Sequence, residues 1–338
     1  MPDKTMRCIF CLMNRLSTAE HVFQYSIGGT LVTDRVCQSC NSFLGTEVDA
    51  PLVDHLFVAF RRSDLGLPGT SGKLPDGLRL FLGDLTLASG PNVKLRVSTD
   101  PWTGKPDVYR FYGVSETPLA SGKVQRRIVV DARDVGRIPT ILQRERRRGG
   151  LPALSEKELA REVDQAVRNM ETIEKPEAIA NVSVDLAAFR RGMLKIAYEL
   201  AFLWLGEAYL DDPTAAVLRD VILGRTAEQD AQLRGRIEIG ANTPVFRFWA
   251  EQRDCHVAFS TTLDERIAVN LRIFDSLSAC IVVTENASHY LRDPFDPQRI
   301  RFLLIDPAAH AMRHTSFIDE LQKMTARQRD VTDLRTAL

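Results

Sequence analysis

Two cysteine pairs in the first 40 residues, Cys8-Ile9-Phe10-Cys11 and Cys37-Gln38-Ser39-Cys40, constrain this chain more than any other feature. Two Cys-x2-Cys knuckles with 25 residues between them can bring four thiolates to one tetrahedral zinc ion. A segment this short holds little core of its own, so the metal would supply much of its folding free energy. Disulfide frameworks belong to small secreted domains, whereas paired knuckles in a chain of this kind read as metal ligands. On the cysteines alone, a bare zinc ribbon that only staples the chain remains an open reading. The other two of the six cysteines, Cys255 and Cys280, lack such spacing and read as buried structural thiols.

The stretch between and just after the knuckles carries chemistry of its own. Glu20-His21 precedes Gly28-Gly29, and Asn41 follows the last cysteine directly. An imidazole suits proton abstraction near neutral pH. A carboxylate and an amide oxygen are hard donors suited to Mg²⁺ or Mn²⁺. Helical signals begin at Asn41, and a second helical stretch follows Asp49-Ala50-Pro51, with Leu52, Val53, Leu56, Phe57 and Phe60 at helical spacing.

In order, spacing and residue type, this segment resembles the HNH endonuclease superfamily, in the branch with two Cys-x2-Cys knuckles. Cys8, Cys11, Glu20, His21, Gly28, Gly29, Cys37, Cys40, Asn41, Gly45 and Asp49 carry the resemblance over about the first 55 residues. It implies a ββα-metal, treble-clef-like fold in which Cys8, Cys11, Cys37 and Cys40 hold a structural Zn²⁺. It implies His21 as the general base, and Glu20 and Asn41 as ligands of a catalytic Mg²⁺ or Mn²⁺. The implied activity is hydrolysis of DNA phosphodiesters, with restriction or anti-phage defence as the setting. Two positions depart from the pattern. The middle Asn is missing, with Thr33 and Asp34 nearest its place, and Gln24 stands where many relatives have proline.

At 338 residues the chain can hold two or three domains. The expected class is α+β: the zinc-stapled module over residues 1–62, a β-rich region over 76–150, and a helical and β region over 151–338, the last two forming one domain or two. Ser63 to Pro75 reads as a linker. Strand texture covers Leu78–Leu82, Val93–Val97, Tyr109–Val114 and Arg127–Val130. Ser155 with Glu158 caps a charged helix running to Thr172, and Asp185 to Tyr209 is the strongest helical stretch. Within it Lys195 and Glu199 interrupt the apolar face at i, i+4, the spacing of an ion pair. Its Lys195-Ile196-Ala197-Tyr198-Glu199-Leu200 run resembles the downstream region of stand-alone bacterial proteins of the HNH type. Ile267, Val269, Leu271 and Ile273 alternate with Ala268, Asn270 and Arg272 as in a half-buried strand, with Ala279–Thr284 as its hairpin partner.

Lys+Arg and Asp+Glu both total 44, so any nucleic-acid site must be a local concentration of charge. Residues 123–148 supply one, with nine basic against three acidic residues. Arg144, Arg146, Arg147 and Arg148 are the candidates for gripping a DNA backbone; a salt-bridged helix is the competing reading. His310 and His314 have a spacing that on a helix would put two imidazoles on one face, but no Glu follows His310 to complete a metalloprotease motif. His55 reads as a surface or supporting histidine. Met1 to Arg7 is polar and does not look like a cleavable signal. The longest apolar run, Met193 to Leu205, has 13 residues, short of the roughly 20 of a membrane span. A cytoplasmic DNA-binding protein without membrane contact is the expectation. A homodimer would pair two nicking sites on opposite strands. Two other readings stay open: a catalytically silent zinc-containing DNA-binding or scaffold protein, and a ligand-regulated nuclease effector.

Overall fold

The computed structural model describes residues 5–75, 84–87, 92–99, 106–118, 120, 124–174, 177–180, 185, 188–240, 246, 253–291, 301–316, 319–320 and 322. The strand expected over Leu78–Leu82 lies outside them. The chain divides into two compact units, one of residues 1–77 with 184–338 and the other of residues 78–183.

The first unit opens with β1 (Thr5–Arg7), β2 (Asn14–His21) and β3 (Val32–Cys37), an antiparallel sheet in that order. Helix α1 (Gln38–Leu44) runs without a break into a π-helical turn over Gly45–Asp49, then α2 (Ala50–Val53) and α3 (Leu56–Asp64). The knuckles place Ile9, Phe10, Val22, Phe23, Val36 and Leu44 inside, each wholly buried.

The second unit contains β4 (Asp84–Leu87), β5 (Asn92–Thr99), β6 (Pro106–Pro118) and β7 (Val124–Val130), followed by α4 (Ile138–Arg148), α5 (Glu156–Arg168) and β8 (Ala178–Ala180). Its strands form one antiparallel sheet ordered β7-β6-β5-β4-β8. The expected cap on α5 is present: the Ser155 N–H donates to Glu158 Oε2 at 2.9 Å, and the Glu158 N–H returns to Ser155 Oγ at 3.4 Å.

The first unit resumes with α6 (Arg190–Leu205) and α7 (Pro213–Ile222), the latter capped by Asp212. Next come β9 (Gly235–Ile239), β10 (His256–Leu263), β11 (Arg266–Ile273), β12 (Leu277–Thr284), a short α8 (Ala287–Tyr290), β13 (Phe302–Asp306) and β14 (Ala311–Thr315). These strands build a six-stranded sheet ordered β14-β13-β10-β11-β12-β9. One hydrophobic core joins the two ends of the chain: Cys8 to Leu67, Phe189 to Ile222, and Ala258 to Ile305 all contribute to it. Burying a side chain such as Leu or Phe in it stabilises the fold by about 1.5–3 kcal/mol.

Three sequence expectations are corrected here. β11 is not half-buried: Asn270 and Arg272 are 4% and 1% exposed, because β10 and β12 flank the strand and its second face is covered too. Asn270 there donates to Thr261 Oγ1 at 2.9 Å. His310 and His314 do not lie on a helix. His310 ends the turn before β14, at φ +47°, and His314 sits in that strand, so the i, i+4 face does not exist. Cys255 and Cys280 are free thiols, half-buried rather than sealed in. Among the described residues no helix is long and apolar enough to cross a membrane.

Candidate functional site

The four knuckle sulfurs converge. All lie within 4.8 Å of one another, and Cys11 Sγ is 3.8 Å from Cys37 Sγ. Zn–S bonds of about 2.3 Å give a tetrahedral S···S edge of about 3.8 Å, so the cluster fits a zinc tetrathiolate. The Cys37 N–H donates to Cys8 Sγ at 3.4 Å, the kind of backbone contact that supports a thiolate. The hydrogen bond from Cys40 draws the Cys8 thiol down to about 4 and pushes Cys40 up. Four sulfurs this close disfavour four separate negative charges, and a dication at their centre would remove that conflict.

β2 and the start of α1 carry the remaining candidates. The β2–β3 register shifts between Thr18 and Glu20, leaving a bulge at Ala19. Such a bulge re-aims the side chains after it. Asn41, in the first turn of α1, clamps the bulge: its amide nitrogen donates to Thr18 Oγ1 at 3.0 Å and to the Ala19 carbonyl at 2.9 Å. Its side-chain oxygen, Oδ1, accepts no hydrogen bond among the described residues. The structure therefore brings Asn41 onto the strand that bears Glu20 and His21.

Beyond the bulge, Glu20 turns inward and is 3% exposed, opposite the buried Thr33. His21 pairs with Val32 and stays half-buried, its ring edge-on to Tyr25 at 5.8 Å. Burial, and then the charge of Lys195, hold the His21 imidazole below its ordinary value of 6.5.

Residues 8–57 match the family model of the HNH endonucleases. The amino-terminal segment is an HNH domain. No curated protein and no solved structure matches the chain.

The HNH segment is completed by residues far beyond that match. Lys195 of α6 is fully buried, and its ammonium donates to Glu20 Oε1, to the His21 carbonyl at 2.9 Å and to Asp49 Oδ2 at 3.1 Å. Asp49 in turn accepts from Gln24 Nε2 at 2.6 Å, which gives Gln24 a role at the position where relatives carry proline. Glu199 Oε2 is 3.6 Å from Lys195, and among the described residues neither of its buried oxygens has a hydrogen-bond partner. Burial pushes the Glu199 carboxyl well above the usual carboxylate range. One helical turn on, Tyr198 donates to the Ile9 carbonyl of the first knuckle at 2.5 Å. One turn back, Gly192 lies against Leu52, where a Cβ would come within 2.8 Å of the leucine Cβ.

The Gly28-Gly29 pair is also explained by contact. Gly28 has φ +83°, and a Cβ there would stand 2.4 Å from Pro307 Cβ; at Gly29 a Cβ would stand 1.9 Å from the Phe23 carbonyl oxygen. His256 of β10 braces the same loop. Its Nε2 is 2.7 Å from the Ile27 carbonyl, its Nδ1 accepts from the Phe274 N–H at 3.2 Å, and its ring stacks on Phe23. Sequence reasoning missed His256, whereas the polar interruption at Lys195 and Glu199 was visible in an apolar helix without its partner.

His55 is buried, packed between Phe57 and Phe189, and neither ring nitrogen has a hydrogen-bond partner among the described residues. It is no surface histidine. The arginine cluster lies on α4. Arg144 stacks over Tyr112 at 4.6 Å and, like Arg148, pairs with Glu145. Arg146 donates to the Pro152 carbonyl at 3.1 Å, and Arg147 is exposed.

Proposed function

We propose that the protein is a metal-dependent DNA endonuclease with His21 as the base that deprotonates the attacking water. The observation that carries this reading is a half-buried imidazole at the end of the β2 strand, next to Glu20 and on the strand that Asn41 clamps, within the segment that matches the HNH endonucleases. Glu20 and Asn41 are the residues that would hold the catalytic cation. Glu20 has one carboxylate oxygen engaged by Lys195, and Asn41 has its side-chain oxygen, Oδ1, unused among the described residues, so each offers one hard donor. Mg²⁺ keeps several waters and needs few protein ligands beside substrate phosphate, and this sparse donor set fits it. When bound, the cation would supply charge stabilisation of the departing 3′ oxygen. The chain's own part is to accept the proton at the His21 imidazole and to fix that ring through its backbone carbonyl. The products are 5′-phosphate and 3′-hydroxyl ends. Arg144, Arg146, Arg147 and Arg148 of α4 are assigned to the DNA backbone, and the biological setting to restriction or anti-phage defence.

The test is plasmid cleavage with Mg²⁺ or Mn²⁺, comparing the wild type with His21→Ala. Loss of a base is expected to cost about 10²–10⁴-fold. Cleavage that survives the substitution rejects the base assignment. No cleavage by the wild type with either metal leaves a zinc-stapled binding module.

A further inference from the structure

The buried cluster at α6 asks for an explanation that packing does not give. A lysine with no exposed surface sits among three carboxyl groups, those of Glu20, Asp49 and Glu199. Taking such charges out of water costs several kcal/mol per ion, and an apolar replacement of the same volume is often as stable. α6 has apolar residues on every other buried position, from Met193 to Phe202. The geometry is specific in a way that burial alone does not require. The ammonium's three donors go to a carboxylate, a backbone carbonyl and a second carboxylate, and two of these belong to the consecutive residues Glu20 and His21.

We infer that Lys195 is a positioning residue of the nuclease site, supplied from outside the HNH segment, which holds Glu20 for the catalytic cation and His21 for the attacking water. The inference rests on the proposed function, because it gives Glu20 and His21 the roles assigned there. With Oε1 fixed on Lys195, the Glu20 carboxylate has one orientation and one remaining oxygen. The bond to the His21 carbonyl fixes the peptide from which the imidazole projects. Asp49 extends the same anchor to Gln24, so the strand end and the loop after it are tied to one point on α6. Groups that orient a metal ligand in this manner typically cost 10–100-fold in metal affinity when removed.

The experiment uses the full-length, zinc-loaded protein. Lys195→Met is compared with a double variant, Lys195→Met with Glu199→Met, in which the ammonium and the neighbouring buried carboxyl leave together. Zinc content and thermal melting report the fold. Mn²⁺ titration followed by electron paramagnetic resonance, without DNA, reports cation binding, and cleavage kinetics report kcat and KM separately. The expected result is retained zinc, Mn²⁺ affinity lower by about tenfold or more, and a fall in kcat at unchanged KM. A folded variant of either kind with wild-type Mn²⁺ affinity overturns the inference. The wild type supplies a readout that needs no variant: in ¹⁵N-lysine-labelled protein the slowly exchanging ammonium signal of Lys195 is expected to shift on titration with Mg²⁺. A signal that stays in place at saturation also overturns it. Wild-type cleavage with either of these negative results removes Lys195 alone, whereas a wild type that binds Mn²⁺ and never cleaves DNA removes the nuclease reading.

Discussion

The loop after His21 is held by a histidine that must stay neutral, and this makes its stability depend on pH. Burial holds His256 down to about 4, against the pull of the Ile27 carbonyl, and the charge of Arg272 acts in the same direction as burial. In the unfolded chain the group returns to about 6.5. Because the folded value is the lower one, the unfolded state takes up the proton first, and stability is lost as pH falls from about 6.5 towards 4. The full loss is about 3 kcal/mol; between pH 7.5 and 5.5 it is about 1 kcal/mol. His256→Phe keeps the stack on Phe23 and the edge contact with Phe274, and removes the titration. The variant is expected to be less stable at pH 7.5 by about 1–3 kcal/mol, since the Ile27 carbonyl and the Phe274 N–H lose their partner. At pH 5.5 the gap between wild type and variant should narrow by about 1 kcal/mol, roughly 2–4 °C in melting temperature for a unit of this size. Calorimetry of both zinc-loaded proteins at the two pH values measures it. A gap that is the same at both would refute the reasoning.

Other outcomes follow from the same contacts. Removing zinc with a chelator, or replacing Cys40 with Ser, is expected to unfold the β1–α1 segment, read as loss of its amide-exchange protection; persistence of that protection would show that the core holds it without the ion. Gly29→Ala drives a methyl group into the Phe23 carbonyl and should destabilise the protein by about 1–3 kcal/mol or more, measurable as a fall in melting temperature. Replacing Arg144, Arg146, Arg147 and Arg148 together by Ala should lower DNA affinity at low salt and flatten its salt dependence; unchanged binding retires α4 as a DNA contact.

Much of the zinc site was legible because its chemistry is local: two knuckles of fixed spacing can do little else with four thiolates. The same holds for the Ser155–Glu158 cap and for α6, whose patterns lie within one or two turns. What was not legible depends on partners distant in sequence. The alternation in β11 marks a polar face correctly and a wet one wrongly, because Phe246, Val257, Phe259 and Phe302 cover the other side of the sheet. The partner of Lys195 could not be read from α6, since Glu20 lies 175 residues away. His55 looks like any polar residue near a helix start until Phe189 closes over it.

The way Gly28 meets Pro307 has a consequence for the making of the protein. Synthesis runs from the amino terminus, so the HNH segment is made before the residues that brace it. Lys195, His256 and Pro307 follow in that order. A nascent chain that has not reached Lys195 holds every motif residue of the segment without the frame that aligns them.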